Sequence, residues 1–198
     1  YSIVDQVGPT PFEFRFYVVN SLEPNAFAVP GGYIFVTTGL LVLAENEQEV
    51  AGVLGHEVAH VTQRHIAQMI EKSKRLNIAS LAAILAAMLA GRGGTASQAG
   101  VAMANAMSAA FQLKFTREME TDADQNGLHY LIKAGYDPYG IITFLNKVHR
   151  VSLAMAPNIP PYLSTHPAIE NRLSLVENLL QMGSKPTGPF RTIRSFKR

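Results

Sequence analysis

There is no cysteine among the 198 residues, which excludes disulfides and thiolate metal ligands together. Any zinc held by the chain must therefore be taken by histidine and carboxylate. Charge is scarce: charged residues make up 16%, against about 25% in an ordinary soluble domain. A net charge of +2 recommends neither nucleic acid nor an acidic substrate as partner. A membrane-spanning helix needs about 20 apolar residues. The alanine-rich run from Leu76 to Ala90 is shorter and is interrupted by Asn77 and Ser80. The chain begins at Tyr1 without methionine or a signal-like segment and reads as a trimmed or processed piece. Its length is that of one domain with a real core. Lack of cysteine fits a bacterial cell envelope, among other compartments.

What the chain does carry is His56-Glu57-Val58-Ala59-His60, set in a run whose apolar residues recur at helical spacing. On a helix, residues four apart lie about 40° from one another around the axis, so His56 and His60 share a face and can grip one metal ion. Glu57 lies one position round, where its carboxylate can reach a water without being a ligand. Imidazole suits zinc, and a catalytic zinc needs three protein ligands and one open position. A carboxylate beside that position acts as general base. Asn46 followed by Glu49 reads as a capping box that starts this helix.

In chain order, Phe12 to Val19 begins with strand-like alternation. Asn25 to Val29 and Tyr33 to Thr37 flank Pro30-Gly31-Gly32 as a hairpin, giving a sheet of about three strands ahead of the helices. A short helix over Thr38 to Ala44 and a long one from Asn46 to about Lys74 follow. Leu76 to Phe111, broken at Gly91-Arg92-Gly93-Gly94, reads as a helical hairpin inserted at 76–111, a candidate lid. A second long helix runs from Thr116 to about Lys133, stopped at Gly135. Asp137-Pro138 starts another, to about Ala154. Ala156 to Tyr162 reads as a proline-rich loop, and a last helix opens at Pro167 and ends near Gly183. The expected catalytic unit is 1–183, with 184–198 as a basic, Gly/Pro-containing tail.

The third metal ligand must come from outside the motif. Glu120 and Asp124 are four apart, so one can bind metal while the other accepts the free N–H of a ligating histidine. Glu118 and Asp122 lie roughly 160–200° off that face and read as a solvated pair. Pro167 would place His166 at a helix N-cap, where the dipole favours neutral imidazole, able to donate to an oxyanion or to bind the metal. His65 falls about 140° from His60 on a continuous helix, and His129 about 180° from Glu120. With His149, these read as structural.

The His-Glu-x-x-His motif, Arg117 to Asp124, and Thr165-His166-Pro167 through Arg172 together resemble the zinc endopeptidase family that contains HtpX, the CAAX prenyl protease and BepA, often grouped as gluzincins. The resemblance covers nearly everything from Asn25 to Arg172. It implies an α+β, predominantly helical, zincin-like fold with the small N-terminal sheet packed on the metal-motif helix. It implies one zinc ion per chain on His56, His60 and Glu120, with Asp124 behind them and Glu57 as catalytic base. His166 takes one of two roles, oxyanion helper or a fourth ligand that closes the site. Asn25-Ala26-Phe27-Ala28 resembles the edge strand on which an extended substrate peptide lies. The expected activity is hydrolysis of extended or misfolded polypeptides, in envelope protein quality control. The alternative is a latent zinc-containing chaperone or assembly factor with His166 on the metal. The short 76–90 run sets the chain apart from multi-pass members. It points to the soluble periplasmic branch, with association at a membrane surface left open.

Overall fold

The computed structural model describes residues 2–72, 115–154, 161–182 and 190. The expected 76–111 insertion and, Phe190 apart, the 184–198 tail lie outside the described residues. Strand β1 is Arg15–Val19, β2 is Ala26–Val29 and β3 is Tyr33–Thr37. The sheet order is β1-β3-β2, with β1 parallel to β3 and β2 antiparallel to it. The hairpin turn requires glycine: Gly32 has φ +91, and a Cβ there would lie 2.7 Å from the Glu13 carbonyl oxygen. One sheet face stacks Tyr17, Phe35 and Phe27 ring on ring at 5.2 and 5.0 Å. The other, through Ala28 and Ile34, packs on Ala51, Val58 and Ala59 of the metal-motif helix.

Helix α1, Thr38–Leu43, leads into α2, Glu47–Thr62. Asn46 caps α2 as expected, its Oδ1 accepting from the backbone N–H of Gln48 and Glu49. Glu49 reaches back one residue further than a capping box, to the Glu45 N–H. Expected as one helix to about Lys74, this segment is broken. Arg64 adopts φ +57, and a separate helix α3 covers His65–Lys72. The Arg64 N–H closes a tight turn onto the Val61 carbonyl, which ends α2 and swings the chain.

Helix α4, Arg117–Lys133, is capped by Thr116, and α5 is Tyr139–Ala154. Both pack on α2, so the motif helix is the centre of the helical layer. At the α2–α4 crossing Gly55 meets Gly127: a Cβ on Gly127 would lie 3.0 Å from Gly55 backbone and from the His56 nitrogen. The backbones approach that closely because neither residue has a side chain there. Helix α6, Pro161–Thr165, replaces the end of the expected loop. The last helix, α7, is Ile169–Met182, beginning two residues after Pro167 because Ala168 takes φ +63. No helix among the described residues is long and apolar enough to cross a membrane.

Candidate metal centre

Helix α2 presents His56, Glu57 and His60, α4 presents Glu120 and Asp124, and the α6–α7 junction presents His166. All six are at least 96% buried, since none exceeds 4% exposure. Ligand atoms of His56, His60, Glu120 and His166 lie within 4.8 Å of one another. His56 Nε2 is 2.9 Å from His60 Nε2 and 3.5 Å from Glu120 Oε2, and His60 Nε2 is 3.4 Å from Glu120 Oε1. Donors held about 2.0–2.1 Å from a tetrahedral metal are separated by about 3.3–3.4 Å, so the set fits such an ion.

Asp124 accepts from His56 Nδ1 at 2.8 Å, which turns Nε2 toward the other donors. His166 enters with Nδ1, 3.1 Å from Glu120 Oε1 and 3.3 Å from His56 Nε2, and stacks on Phe115 and Tyr162. Its Nε2 faces Glu57 Oε1 at 3.4 Å, and both Glu57 oxygens are buried without a hydrogen-bond partner among the described residues. His166 is not a helix N-cap. Its N–H bonds the Tyr162 carbonyl at the C-terminal end of α6, because the turn at Ala168 delays α7. The imidazole therefore lies off the N-terminus that Pro167 was expected to open, and the dipole of α7 does not set its charge state.

Arg172, singled out by the sequence only as the end of a motif, is 98% buried in this centre, with 2% exposure. Its Nε and Nη2 donate to the two Asp124 oxygens at 2.8 and 2.7 Å, and its Nη1 lies 3.0 Å from Glu120 Oε2. Nη2 is also 3.1 Å from His56 Nδ1, because both groups donate to the same Asp124 oxygen. Burial pushes the Glu120 and Asp124 carboxyls up, but His166 and Arg172 hold Glu120 well below the usual range, and Arg172 and His56 depress Asp124. Burial and the Arg172 charge press His56 down, yet Asp124 and Glu120 carry it up to about 9. Burial and the neighbouring His56 keep His60 well below its ordinary value.

Two readings from spacing fail here. His65 lies beside His60 instead of turning away, their Nδ1 atoms 3.0 Å apart, because the helix that would have carried it off is broken at Arg64. Asp122 is not simply solvated: it lies 3.1 Å from His65 Nε2. His129 is exposed and His149 is at the surface, 3.9 Å from Glu170. Asn25 to Val29 lie along an edge of the sheet among the described residues, and none exceeds 6% exposure. The Asn25 backbone is tied to Thr37, while its Oδ1 is buried and unpartnered among the described residues. A cleft of about 770 Å³ borders His60 and the turn after β2.

Known proteins resemble this chain in sequence. The chain is 37% identical over 179 residues to the beta-barrel assembly-enhancing protease of Yersinia pestis, covering 88% of this chain and 36% of that protein. It is 33% identical over 181 residues to the same-named protease of Escherichia coli K12, covering 89% and 36%. The mitochondrial metalloendopeptidase OMA1 of Arabidopsis thaliana is 38% identical over 160 residues, covering 80% of this chain and 30% of its own. The chain thus spans about a third of the length of these relatives. The model of peptidase family M48 takes in residues 3–180, nearly the whole chain and every residue of the buried centre, and this protein is a member of that family.

Proposed function

We propose that the chain is the catalytic unit of a zinc endopeptidase, over residues 1–183, captured in a closed form. The observation that carries this reading is the buried quartet His56, His60, Glu120 and His166, with the Glu57 carboxylate beside it. His56, His60 and Glu120 would hold the zinc, and Asp124 and Arg172 orient them. Zinc bound there supplies a Lewis acid that polarises a peptide carbonyl and lowers the pKa of water. Glu57 takes a proton from the attacking water and later delivers it to the leaving amine. The strand Asn25-Ala26-Phe27-Ala28 would align an extended substrate by backbone pairing, which reads chain conformation rather than side chains.

Two observations support a closed form. His166 Nδ1 stands among the three donors, where a fourth ligand would fill the position catalysis needs open. The edge strand is buried, so a substrate cannot pair with it until that edge is uncovered. His166 is therefore assigned as a closing ligand rather than an oxyanion donor in this conformation. The same contacts favour a second reading, a zinc-containing assembly factor whose site stays latent. Casein hydrolysis by wild type and by Glu57→Gln, each with its zinc content, separates them: a latent factor shows no Glu57-dependent hydrolysis under any condition. Bacterial relatives named for β-barrel assembly support a place in the cell envelope, with polypeptides as substrates.

A further inference from the structure

His65 and Asp122 belong to no part of that scheme, yet they join the centre from outside. The Asp122 carboxylate can only accept, so the 3.1 Å contact from His65 Nε2 fixes the proton on that nitrogen. A neutral imidazole carries one proton, which leaves His65 Nδ1 as an acceptor. Its 3.0 Å neighbour, His60 Nδ1, must then be the donor. His60 Nε2 is thereby left with its lone pair, 2.9 Å from His56 Nε2 and 3.4 Å from Glu120 Oε1. Each contact sets the direction of the next.

We propose that Asp122 and His65 form a positioning relay that fixes the tautomer and ring orientation of His60 for metal binding. The proposal rests on the zinc reading above and extends it to residues that do not touch the metal. The two motif histidines are then oriented from the same helix by different routes. Asp124 accepts directly from His56, whereas Asp122 leaves α4 on another side and needs His65 to span the gap. Asn126 Nδ2 donates to the other Asp122 oxygen at 2.9 Å, which holds the carboxylate in place. The turn at Arg64 is what delivers His65 to this position, so the break between α2 and α3 is part of the relay.

The test is the zinc affinity of the whole chain, measured by competition with a chelator, together with the visible spectrum of the cobalt-loaded protein. His65→Leu keeps the bulk and removes both polar atoms. It is expected to weaken zinc binding about 10- to 100-fold and to alter the cobalt spectrum, with helical content unchanged. His65→Gln restores an acceptor and a donor, and should recover most of the loss. Asp122→Ala, at a carboxylate 43% exposed, should weaken binding in the same direction, and it serves if the Leu variant does not fold. Wild-type affinity in His65→Leu or in Asp122→Ala overturns the relay, as does a Gln variant as weak as the Leu variant. A wild-type chain that takes up no zinc overturns the metal reading itself, so the two failures are distinct.

Discussion

Arg172 grips Asp124 with two parallel hydrogen bonds, Nε to Oδ2 at 2.8 Å and Nη2 to Oδ1 at 2.7 Å, in the interior of the protein. This pair neutralises the acid behind His56 and extends to Glu120, so a cation from the last helix balances two buried carboxylates. Arg172→Met should remove that balancing cation, at a cost of about 3–5 kcal/mol. Thermal or urea unfolding of the metal-free protein measures it. A variant as stable as wild type would show that the carboxylates are balanced by another group.

Loss of Glu57 should act on chemistry alone. Glu57→Gln should bind zinc and fold as wild type does while hydrolysis falls about 10²–10⁴-fold. Turnover at the wild-type level would remove Glu57 from the mechanism.

The carboxylates of α4 separate by role. Glu120→Ala should lose zinc affinity severely, whereas Asp124→Ala should lose about 10- to 100-fold, the usual effect of removing a partner behind a ligand. Isothermal titration or chelator competition ranks them. Equal, negligible losses from both would place the metal elsewhere.

In the proposed closed form, His166→Ala opens the fourth position of the metal site. Basal casein hydrolysis should therefore rise above wild type. A fall would make His166 a helper in the reaction rather than a plug, and no change in either direction would remove it from the site.

Acid should unfold the metal-free chain early. Glu120 and Asp124 have depressed carboxyl pKa values, so their stabilising contribution is present above the unfolded values of 4.5 and 3.8 and is lost as pH falls toward the folded ones. Tm measured from pH 6 to pH 3 should drop steeply below about 4.5, and Asp124→Asn should be less stable at pH 6 yet show a shallower slope. Parallel curves would refute the linkage.

Features written in local periodicity were legible before the fold. Asn46 caps the metal-motif helix, Pro30-Gly31-Gly32 turns the hairpin, and four-residue spacing brings His56 to His60 and Glu120 to Asp124. His65 was not legible, because one non-glycine residue, Arg64, adopts a left-handed backbone with no residue-type signal to mark it. Ala168 misled in the same way, since Pro167 ordinarily opens a helix and here does not. Arg172 looks like a surface charge on an amphipathic helix. Only the burial of Asp124 and Glu120 against it, from a helix 48 residues away in sequence from Asp124, gives it a partner.

The crossing of Gly55 and Gly127 sets the gauge of the whole centre. One helix carries both imidazoles and the other carries the carboxylate, so the gap between their backbones fixes the bite offered to an ion. A methyl group at Gly127, 3.0 Å from the His56 nitrogen, would wedge the helices apart beside the first imidazole. Bond lengths to zinc tolerate only about 0.2 Å of such widening. A chain could thus retain every donor, the base and the relay and still be unable to seat a metal.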